Sequence, residues 1–561
     1  MATIQPFLSR TSVAYFSMEI ALRPEMHTYS GGLGVLAGDS ARSAADLGLP
    51  IVFITLASHK GYLCQEIGED GAQVDYPDPW KIRDFATPLD AMVAVEIAGR
   101  SVWIRPWLHV VSCPLGGEVP VLLLDTDFDQ NAPADREITD RLYGGDNTYR
   151  LKQEIVLGIG GAKILDALGF RIATYHLNEG HAALLTLHLL GKQKAADGAD
   201  KDPVAHVREA CVFTTHTPVE AGHDRFSYAD VEEILGTNLI SLDELRLFGG
   251  TNELNLTLLA LNLSDYVNGV AIRHAETTRR MFPGYRIEAI TNGVHASTWA
   301  HPAFAELYQA DLACWAHEPE RLGRCDQLDD EEVWRAHQRA KGDLLALVTR
   351  ELGQSLDPER PTIAFARRMT GYKRPDLIFT DLERLRAIAR RYPFQIIMAG
   401  KAHPRDSQGK ALIAQIHRHI RELSNDVPVV FLPNYDMNRA RKLVAGADIW
   451  LNTPMPPLEA SGTSGMKAAI NGVLNLSVVD GWWVEGCIEG VTGWGIDGRH
   501  LDMAQDDAAE LYDKLEATVL PLYYENRPRW IWMMKQAMSK ITPYFNSQRM
   551  MRRYASEAYL R

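Results

Sequence analysis

The sequence has few cysteines and no long apolar run. Six cysteines are scattered over 561 residues, with no Cys-x-x-Cys pair and no His-Cys cluster at metal-ligand spacing. No apolar run approaches the roughly 18 residues of a membrane span, and the N-terminal segment MATIQPFLSRTSVAYF lacks the apolar region of a signal peptide. These absences predict free thiols, no metal site, and a soluble cytoplasmic protein that does not associate with membranes.

Positive charge is also scarce. The chain has 58 basic and 72 acidic residues, which gives a formal net charge of -14. This balance disfavours nucleic acid as a partner, because nucleic-acid binding depends on extended positive surfaces. An anion that binds to this protein must therefore be held by a local cluster of basic residues.

The length predicts two domains, since a chain of 561 residues exceeds the size at which a single core stops growing. In the second half, short apolar runs alternate with helical patterns. Apolar strands without polar alternation, joined by helices, predict a parallel sheet that is covered on both faces. The runs lie at 361–366, 394–400, 427–432, 448–452 and 473–479.

The first half is similar but less regular. Its strand candidates lie at 12–18, 50–58, 120–127, 211–217, 265–272 and 286–291, and the segment 91–110 resembles an inserted hairpin. We therefore predict an N-terminal Rossmann-like lobe over 1–300 and a C-terminal one over 301–540. A C-terminal helix within 541–561 is expected to pack back on the first lobe. The predicted fold class is α/β, with two doubly wound lobes and an active-site cleft between them.

Two motifs lie where ligands bind in such sheets, just after the strands, and a third precedes a helical pattern near the N-terminus. RRMTGYKR (367–374) follows a strand and groups four basic residues on one loop. EASGTSGMK (459–467) follows another strand, and its glycines allow backbone N–H groups to approach a phosphate at a helix start. YSGGLG (29–34) is a second glycine-rich helix start. Each motif alone has an ordinary structural explanation, as a solvated loop or a tight turn.

Taken together, eight segments resemble the α-glucan phosphorylases of the glycogen, starch and maltodextrin type, in a compact form. They occur between residues 29 and 481 in the order that this family shows. The segments are 29–49, 176–185, 213–222, 265–276, 290–299, 367–374, 433–449 and 459–481. The resemblance implies a GT-B fold, pyridoxal phosphate as cofactor, and retaining, reversible phosphorolysis of α-1,4-glucan to glucose 1-phosphate. The partners implied are the glucan and inorganic phosphate, with a homodimer by analogy to relatives.

The resemblance also implies roles for individual residues around the cofactor. Lys467 is similar to the lysine that forms the Schiff base with pyridoxal phosphate. The turn formed by Gly462, Thr463 and Ser464 matches the turn around the cofactor phosphate. Further cofactor contacts are implied for Arg367, which replaces a frequent lysine, and for Trp299. Gly465 stands where the family has an asparagine, which leaves one cofactor contact in doubt.

A second set of residues corresponds to the substrate site. Arg368 and Lys373 match the pair that holds the substrate phosphate, and the backbone at Gly32 and Leu33 matches a further donor. Sugar ligands or neighbours of the sugar are implied for the remaining matches, which are Asn292, Glu459, Ser461, Gly462, Tyr435 and His216. Only 28 residues precede Tyr29, so we expect no regulatory N-terminal extension.

Three alternatives remain at this point. A nucleotide-sugar glucan synthase shares the two-lobed plan but needs no lysine after GTSGM. A non-catalytic glucan-binding protein would be expected to lose the basic pair, and both Arg368 and Lys373 are present. A retaining glycosidase would use Glu459 as one of two carboxylates, but the sequence offers no defined partner for it.

Overall fold

The computed structural model describes residues 3–195, 202–497 and 503–560. The chain divides into two units. Unit 1 contains residues 1–62, 77–291 and 550–561, and unit 2 contains residues 63–76 and 292–549. Each unit is built around its own mainly parallel sheet.

Within the described residues, twenty strands form the sheets. Up to residue 125 they are β1 Val13–Phe16, β2 Ile51–Leu56, β3 Cys64–Ile67, β4 Gln73–Tyr76, β5 Thr87–Pro88, β6 Val93–Ile97, β7 Arg100–Ser112 and β8 Glu118–Asp125. Between residues 174 and 289 they are β9 Thr174–Asn178, β10 Cys211–Thr214, β11 Arg225–Ser227, β12 Glu253–Asn255, β13 Tyr266–Gly269 and β14 Glu288–Ala289. The remaining strands are β15 Thr362–Ala366, β16 Gln395–Ala399, β17 Val429–Leu432, β18 Ile449–Asn452, β19 Leu474–Val478 and β20 Gly493–Ile496.

The α-helices alternate with these strands. Up to residue 281 they are α1 Gln5–Leu8, α2 Gly32–Asp46, α3 Pro133–Arg136, α4 Asn147–Ile155, α5 Gly161–Leu168, α6 Leu185–Ala195, α7 Pro203–Ala210, α8 Tyr228–Ile234, α9 Leu242–Gly249, α10 Leu256–Asn262 and α11 Ile272–Met281. After residue 290 they are α12 Ala296–Trp299, α13 Pro302–Asp311, α14 Asp330–Leu352, α15 Leu382–Arg391, α16 Ser407–Leu423, α17 Met437–Gly446, α18 Ser464–Ile470, α19 Trp483–Gly486, α20 Met503–Lys514, α21 Leu520–Glu525, α22 Arg527–Ile541 and α23 Ser547–Tyr554. No helix in the described ranges is long and apolar enough to cross a membrane.

Unit 1 has a ten-stranded sheet whose main path is β14-β13-β10-β9-β1-β2-β8-β7-β5, with β6 paired to β7. The strands from β14 to β8 are all parallel. The β6–β7 hairpin is antiparallel and lies where the segment 91–110 predicts a hairpin. Alternate residues of β1 enter two different core clusters, with Ala14 and Phe16 in one and Val13 and Tyr15 in the other. Both faces of this sheet are therefore covered, as the apolar strands predict.

Unit 2 has a six-stranded parallel sheet in the order β17-β16-β15-β18-β19-β20. Numbered from β15, this order is 3-2-1-4-5-6, the doubly wound Rossmann arrangement. Asp381, Asp406 and Asp436 cap the helices α15, α16 and α17 by accepting a backbone N–H through the side chain. The two units confirm the predicted α/β class with two Rossmann-like lobes.

The unit boundaries lie at 291–292 and 549–550, in place of the expected 300 and 541. Residues just after 291 belong to unit 2 because Val294 forms backbone hydrogen bonds with Phe545 and Ser547, at 3.0 and 2.9 Å. The terminal segment 550–561 belongs to unit 1, where the hydroxyl of Tyr559 lies 2.6 Å from Nδ1 of His176. The side chain of Tyr554 is buried in the core cluster that contains Val13 and Tyr15 of β1.

The β3–β4 hairpin was not expected in the second unit. Gln65 and Gln73 donate side-chain hydrogen bonds to the carbonyl oxygens of Gly400 and Ala402, each at 2.9 Å. These polar contacts carry no apolar periodicity, so the sequence gives no sign that residues 63–76 leave the first unit.

Candidate active site

In unit 2, the carboxyl ends of β15 and β18 meet at the switch point of the sheet. The two strands are neighbours, while their chain continuations β16 and β19 lie on opposite sides of the pair. Ligands bind at such a point in doubly wound sheets. The loop after β15 carries RRMTGYKR and the loop after β18 leads to EASGTSGMK, so the fold brings two of the three motifs together.

A buried carboxylate joins the two loops. Oε2 of Glu459 accepts a hydrogen bond from Nη2 of Arg367 at 2.8 Å and another from Nζ of Lys373. The three side chains are only about one-tenth exposed, at 9 to 10%. Burial opposes ionisation of Glu459, but the two cations outweigh it and lower the pKa of the carboxyl group. The site therefore holds two positive charges and one negative charge.

Arg367 retains donors for a further anion. Its Nε and Nη1 atoms are buried and have no hydrogen-bond partner among the described residues. Two unpaired N–H groups on a buried guanidinium carry a desolvation cost that an anion would remove.

The other two basic residues of this loop point to different surroundings. Arg368 is exposed. Arg374 is buried and donates to the carbonyl oxygens of Thr453 and Pro454, at 2.8 and 2.7 Å, and to Asp507 at 2.5 Å. The sequence grouped all four basic residues as one cluster, but Arg374 secures the loop after β18 and is not part of an anion site.

The turn before α18 has the backbone conformation that its glycines predict. Gly462 has φ +82°, and a Cβ atom there would lie 3.3 Å from Cγ of Glu459. The Oγ atom of Ser461 is buried without a hydrogen-bond partner in the described part of the chain. Thr463 is half-buried and precedes α18, while the hydroxyl of Ser464 accepts a hydrogen bond from Nε1 of Trp450 at 3.1 Å.

Gly465 is enclosed by its neighbours. A Cβ atom at this position would lie 2.3 Å from Oδ1 of Asn475 and 2.6 Å from the ring of Trp482. Asn475 donates its amide to the carbonyl oxygen of Gly465 at 3.1 Å. The side chain of Asn475 therefore fills the space that any side chain at 465 would need.

Lys467 lies in the last turn of α18 and is 7% exposed. Its Nζ atom is 4.0 Å from the centroid of the Trp299 ring, which is itself buried. A lysine ammonium over an aromatic face is stabilised by the ring quadrupole. Asn471 links the two residues, because its amide donates to the carbonyl oxygens of Trp299 and Lys467 at 2.9 and 3.0 Å.

Two more predicted residues belong to unit 2. Asn292 is 3% exposed, and its Oδ1 atom is buried with no hydrogen-bond partner within the described ranges. Tyr435 is half-buried and lies directly before Asp436, which caps α17.

In unit 1, the glycine-rich stretch is held by a carboxylate that the sequence analysis did not single out. Glu19, at 1% exposure, accepts the backbone N–H groups of Ser30 and Gly31 at 2.5 and 3.1 Å. The hydroxyl of Tyr143 donates to the same carboxylate at 2.9 Å. Gly32 is exposed and has open space where a Cβ atom would be, and Leu33 is half-buried.

His216 follows β10 at the carboxyl edge of the same sheet. Its Nε2 atom lies 2.6 Å from Oδ1 of Asn178, and its backbone N–H donates to Glu179 at 2.7 Å. Burial lowers the pKa of His216 well below its ordinary value, and neighbouring histidines lower it further. The imidazole is therefore neutral.

Glu179 was also missed by the sequence analysis. It lies in HLNEGHAALL (176–185), one of the eight segments, and directly follows β9. Its position immediately after a buried strand is the signal that could have identified it, as it could have identified Glu19 near the end of β1.

The family model for carbohydrate phosphorylases, described as "Phosphorylase", matches residues 201–492. The chain is 41% identical to a maltodextrin phosphorylase of Thermococcus litoralis, over 98% of this chain and 70% of that protein. It is 36% identical to glycogen phosphorylases of Aquifex aeolicus and Mycobacterium tuberculosis, over 98% of this chain and 86% and 71% of those proteins. The chain belongs to the carbohydrate phosphorylase family.

Family membership confirms the resemblance that the eight segments indicate, together with the GT-B fold class and the enzyme class of a glycosyltransferase. Carbohydrate phosphorylases use pyridoxal phosphate, and relatives in the family act on α-glucan with phosphate. Among the described residues there is no group of three or more His, Cys, Asp or Glu side chains that could hold a metal ion.

Proposed function

We propose that this chain is an α-1,4-glucan phosphorylase, which transfers the non-reducing terminal glucose of a glycogen- or maltodextrin-type glucan to inorganic phosphate with retention of configuration. Within unit 2, the observation that carries the proposal is the buried cation pair on Glu459, together with the buried amine of Lys467 on the helix that follows the same loop. A nucleotide-sugar synthase has no use for such an amine.

The residues of unit 2 fit pyridoxal phosphate. The cofactor needs a primary amine for its tether, and Lys467 supplies one in a buried position beside an aromatic ring. It also needs donors for its phosphate group. Arg367 has two buried N–H groups without partners in the described residues, and Gly462 at φ +82° has no side chain that would block the approach of a phosphate to the turn. We assign Lys467, Arg367, Trp299 and the turn 462–464 to cofactor binding.

A side chain from another strand lies against Gly465. The asparagine expected before Met466 is absent, but a carboxamide from β19 lies against Gly465 and leaves no room for a side chain there. A cofactor contact from residue 465 is therefore not part of the proposal, and the other assignments do not depend on it.

Substrate phosphate is assigned to Arg368 and Lys373. Arg368 is exposed, so it can reach a phosphate that enters from solvent, whereas Lys373 is buried against Glu459. Their positive charges offset the repulsion between the substrate phosphate and the phosphate of the cofactor. When bound, the cofactor supplies a second phosphate group, with a second pKa of about 6, that exchanges a proton with the substrate phosphate.

Sugar hydroxyl groups are assigned to Glu459, Ser461 and Asn292. The Oγ atom of Ser461 and Oδ1 of Asn292 are buried polar atoms without partners in the described residues, and such atoms gain most from a ligand hydrogen bond. Tyr435 is assigned to the wall of the same site. In unit 1, we assign His216 to the reacting sugar and the backbone at Gly32 and Leu33 to phosphate.

The reaction then proceeds without a carboxylate pair. Inorganic phosphate donates a proton to the glycosidic oxygen, and the bond between that oxygen and C1 breaks. A phosphate oxygen bonds to C1 on the same face, which gives α-glucose 1-phosphate and a glucan shorter by one unit. The protein positions the two phosphate groups and the sugar. Because His216 is neutral, it adds no positive charge beside C1 of the sugar, where positive charge develops as the bond breaks.

The test is to incubate the protein with maltodextrin and orthophosphate and to assay glucose 1-phosphate. We expect product only with both substrates, and none from a nucleotide sugar. Lys467→Arg should retain a charge over Trp299 but lose the cofactor absorbance and the activity, because a guanidinium cannot form the tether. Lys540→Arg, at an exposed helix position, is the matched control. An active Lys467→Arg protein would contradict the assignment.

A further inference from the structure

The switch point of the unit 1 sheet lies between β1 and β9. These strands are neighbours at the centre of the order β14-β13-β10-β9-β1-β2-β8, and their chain continuations lie on opposite sides. Strand β9 ends at Asn178, and Glu179 is the first residue after it. They therefore occupy the position in unit 1 that corresponds to the loops of the candidate site in unit 2.

Glu179 has an unusual backbone conformation for a residue with a side chain. Its φ is +73° and its ψ is 174°, a region that glycine occupies readily and other residues avoid. The conformation is held in place from the main chain, because the N–H of Glu179 donates to the carbonyl oxygen of Thr214 at 2.8 Å. Strain of this kind persists only where surrounding contacts enforce it, and it occurs most often at functional sites.

The carboxylate of Glu179 binds the loop that carries His216. Oε2 accepts the backbone N–H of His216 at 2.7 Å and the hydroxyl of Thr217 at 3.0 Å. Oε1 accepts the N–H of Gly180 at 3.3 Å. Both oxygens are thus engaged by donors, and two of the three donors belong to residues 216 and 217.

Asn178 fixes the imidazole of the same residue. Its amide Nδ2 donates to Oγ of Ser17 at 3.1 Å, so its Oδ1 faces Nε2 of His216 at 2.6 Å. Because Oδ1 can only accept, Nε2 carries the proton of the neutral imidazole and Nδ1 is left as the acceptor. Adjacent residues of one loop therefore hold the main chain and the ring of His216.

We propose that Glu179 is a positioning residue for His216. The carboxylate of Glu179 fixes the conformation of the loop 215–217, so that the neutral imidazole of His216 presents its Nδ1 atom in a fixed direction. The expected effect on catalysis rests on the proposed function. The hydrogen bonds between Glu179 and the loop 215–217 do not, because they lie within unit 1.

The ionisation of Glu179 makes the grip dependent on pH. Burial raises the pKa of Glu179 to about 7, against the N–H and hydroxyl donors that lower it, and Asp224 adds a small rise. Asp224 is itself within 3.3 Å of Arg150 and 3.4 Å of His181. Further ionisable groups interact with these residues. Their side chains are those of Glu154, His176, His223 and His274.

The direction of the pH dependence follows from how many hydrogen bonds the carboxyl group of Glu179 can accept. Above pH 7 the ionised carboxylate accepts all three donors, and below it a proton occupies one oxygen and weakens the hold on residues 216 and 217. We expect kcat for phosphorolysis to rise with pH through about 7.

The test replaces Glu179 by glutamine. In Glu179→Gln one oxygen becomes an NH2 group that cannot accept, so a backbone or hydroxyl donor loses its partner. Hydrogen exchange of the amides in residues 211–220 should become at least about tenfold faster at His216 and Thr217. The kcat should fall about tenfold, with the KM for phosphate within about twofold of the wild type, and the rise of kcat through pH 7 should disappear.

The control and the second variant keep the test decisive. Glu209→Gln, at an exposed position of α7, should change neither exchange nor kcat. Glu179→Gly should have a higher Tm than Glu179→Ala, because glycine adopts φ +73° without strain, yet both should lose the grip on the loop. Unchanged exchange at residues 216 and 217 in Glu179→Gln and Glu179→Gly would overturn the proposal. Absence of glucose 1-phosphate with the wild type would instead overturn the proposed function, and the exchange result would still decide the role of Glu179.

Discussion

Replacing Glu459 by glutamine tests the charge balance of the candidate site most directly. The carboxylate lies 2.8 Å from Nη2 of Arg367 and also accepts Nζ of Lys373, with all three side chains at 9 to 10% exposure. At an effective dielectric constant of about 20, one such contact corresponds to roughly 6 kcal/mol of Coulomb energy, most of which desolvation offsets. Removing one partner of a buried ion pair costs about 3 to 5 kcal/mol, because it leaves a buried charge uncompensated.

We therefore expect Glu459→Gln to lower the free energy of unfolding by about 3 kcal/mol, the lower end of that range, since the glutamine carbonyl still accepts one hydrogen bond. Urea denaturation followed by tryptophan fluorescence measures this value, because Trp450, Trp482, Trp483 and Trp494 are buried in unit 2. The matched control is Glu332→Gln, which breaks a surface pair with Arg335 at 50 to 63% exposure and should cost less than about 1 kcal/mol.

Phosphate and pH distinguish this explanation from a general loss of packing. Orthophosphate should stabilise Glu459→Gln more than the wild type, because in the wild type phosphate competes with Glu459 for the cations Arg367 and Lys373. Phosphate at 100 times its Kd raises the free energy of unfolding by about 2.7 kcal/mol. The pKa of Glu459 is lowered in the folded protein, so its contribution to stability is present above the ordinary glutamate pKa and is lost as the pH falls through the lowered value. The difference between wild type and variant should shrink over that acid range. Equal stability and an equal response to phosphate in both proteins would refute the reasoning.

Two further predictions concern the same unit. Arg368→Ala should leave the Tm unchanged, because the residue is exposed. In the glucose 1-phosphate assay the KM for phosphate should rise at least about tenfold, while the KM for glucan changes little. Equal increases in both KM values would argue against the assignment of Arg368 to phosphate. Gly465→Ala should lower the free energy of unfolding by about 1 to 3 kcal/mol, since its Cβ would lie 2.3 Å from Oδ1 of Asn475. The double variant Gly465→Ala with Asn475→Ala should regain part of that loss relative to the sum of the single changes, and strict additivity would show that the two side chains do not compete for this space.

Much of the fold is readable because strands buried on both faces leave a plain signal. The five apolar runs predicted in the second half coincide with β15 to β19, and the loops after β15 and β18 are the ones that carry the candidate site. In contrast, β20 has the sequence GWGI, where two glycines remove the apolar signal. Short or glycine-rich strands depend on their neighbours in the sheet, which a local pattern does not contain.

The basic residues show where the sequence stops being informative. Arg367, Arg368, Lys373 and Arg374 have the same charge and lie within eight positions, so composition and spacing treat them alike. The structure separates them by direction, because the residue at 374 turns inward to carbonyl oxygens and Asp507 while the one at 368 faces solvent. Side-chain direction on an irregular loop is set by tertiary contacts, and no periodicity encodes it.

The two glutamates at the unit 1 switch point were missed for a related reason. A sequence scan finds glycine-rich turns because glycine is the residue that tolerates unusual backbone angles. Glu179 adopts φ +73° without being glycine, and Glu19, which follows β1, binds backbone N–H groups 11 and 12 residues further along the chain. Each carboxylate accepts backbone N–H groups of a loop that carries a predicted ligand residue, Gly32 in one case and His216 in the other. Neither carboxylate belongs to a motif, and both are found by asking which acceptor satisfies each backbone N–H group of these loops.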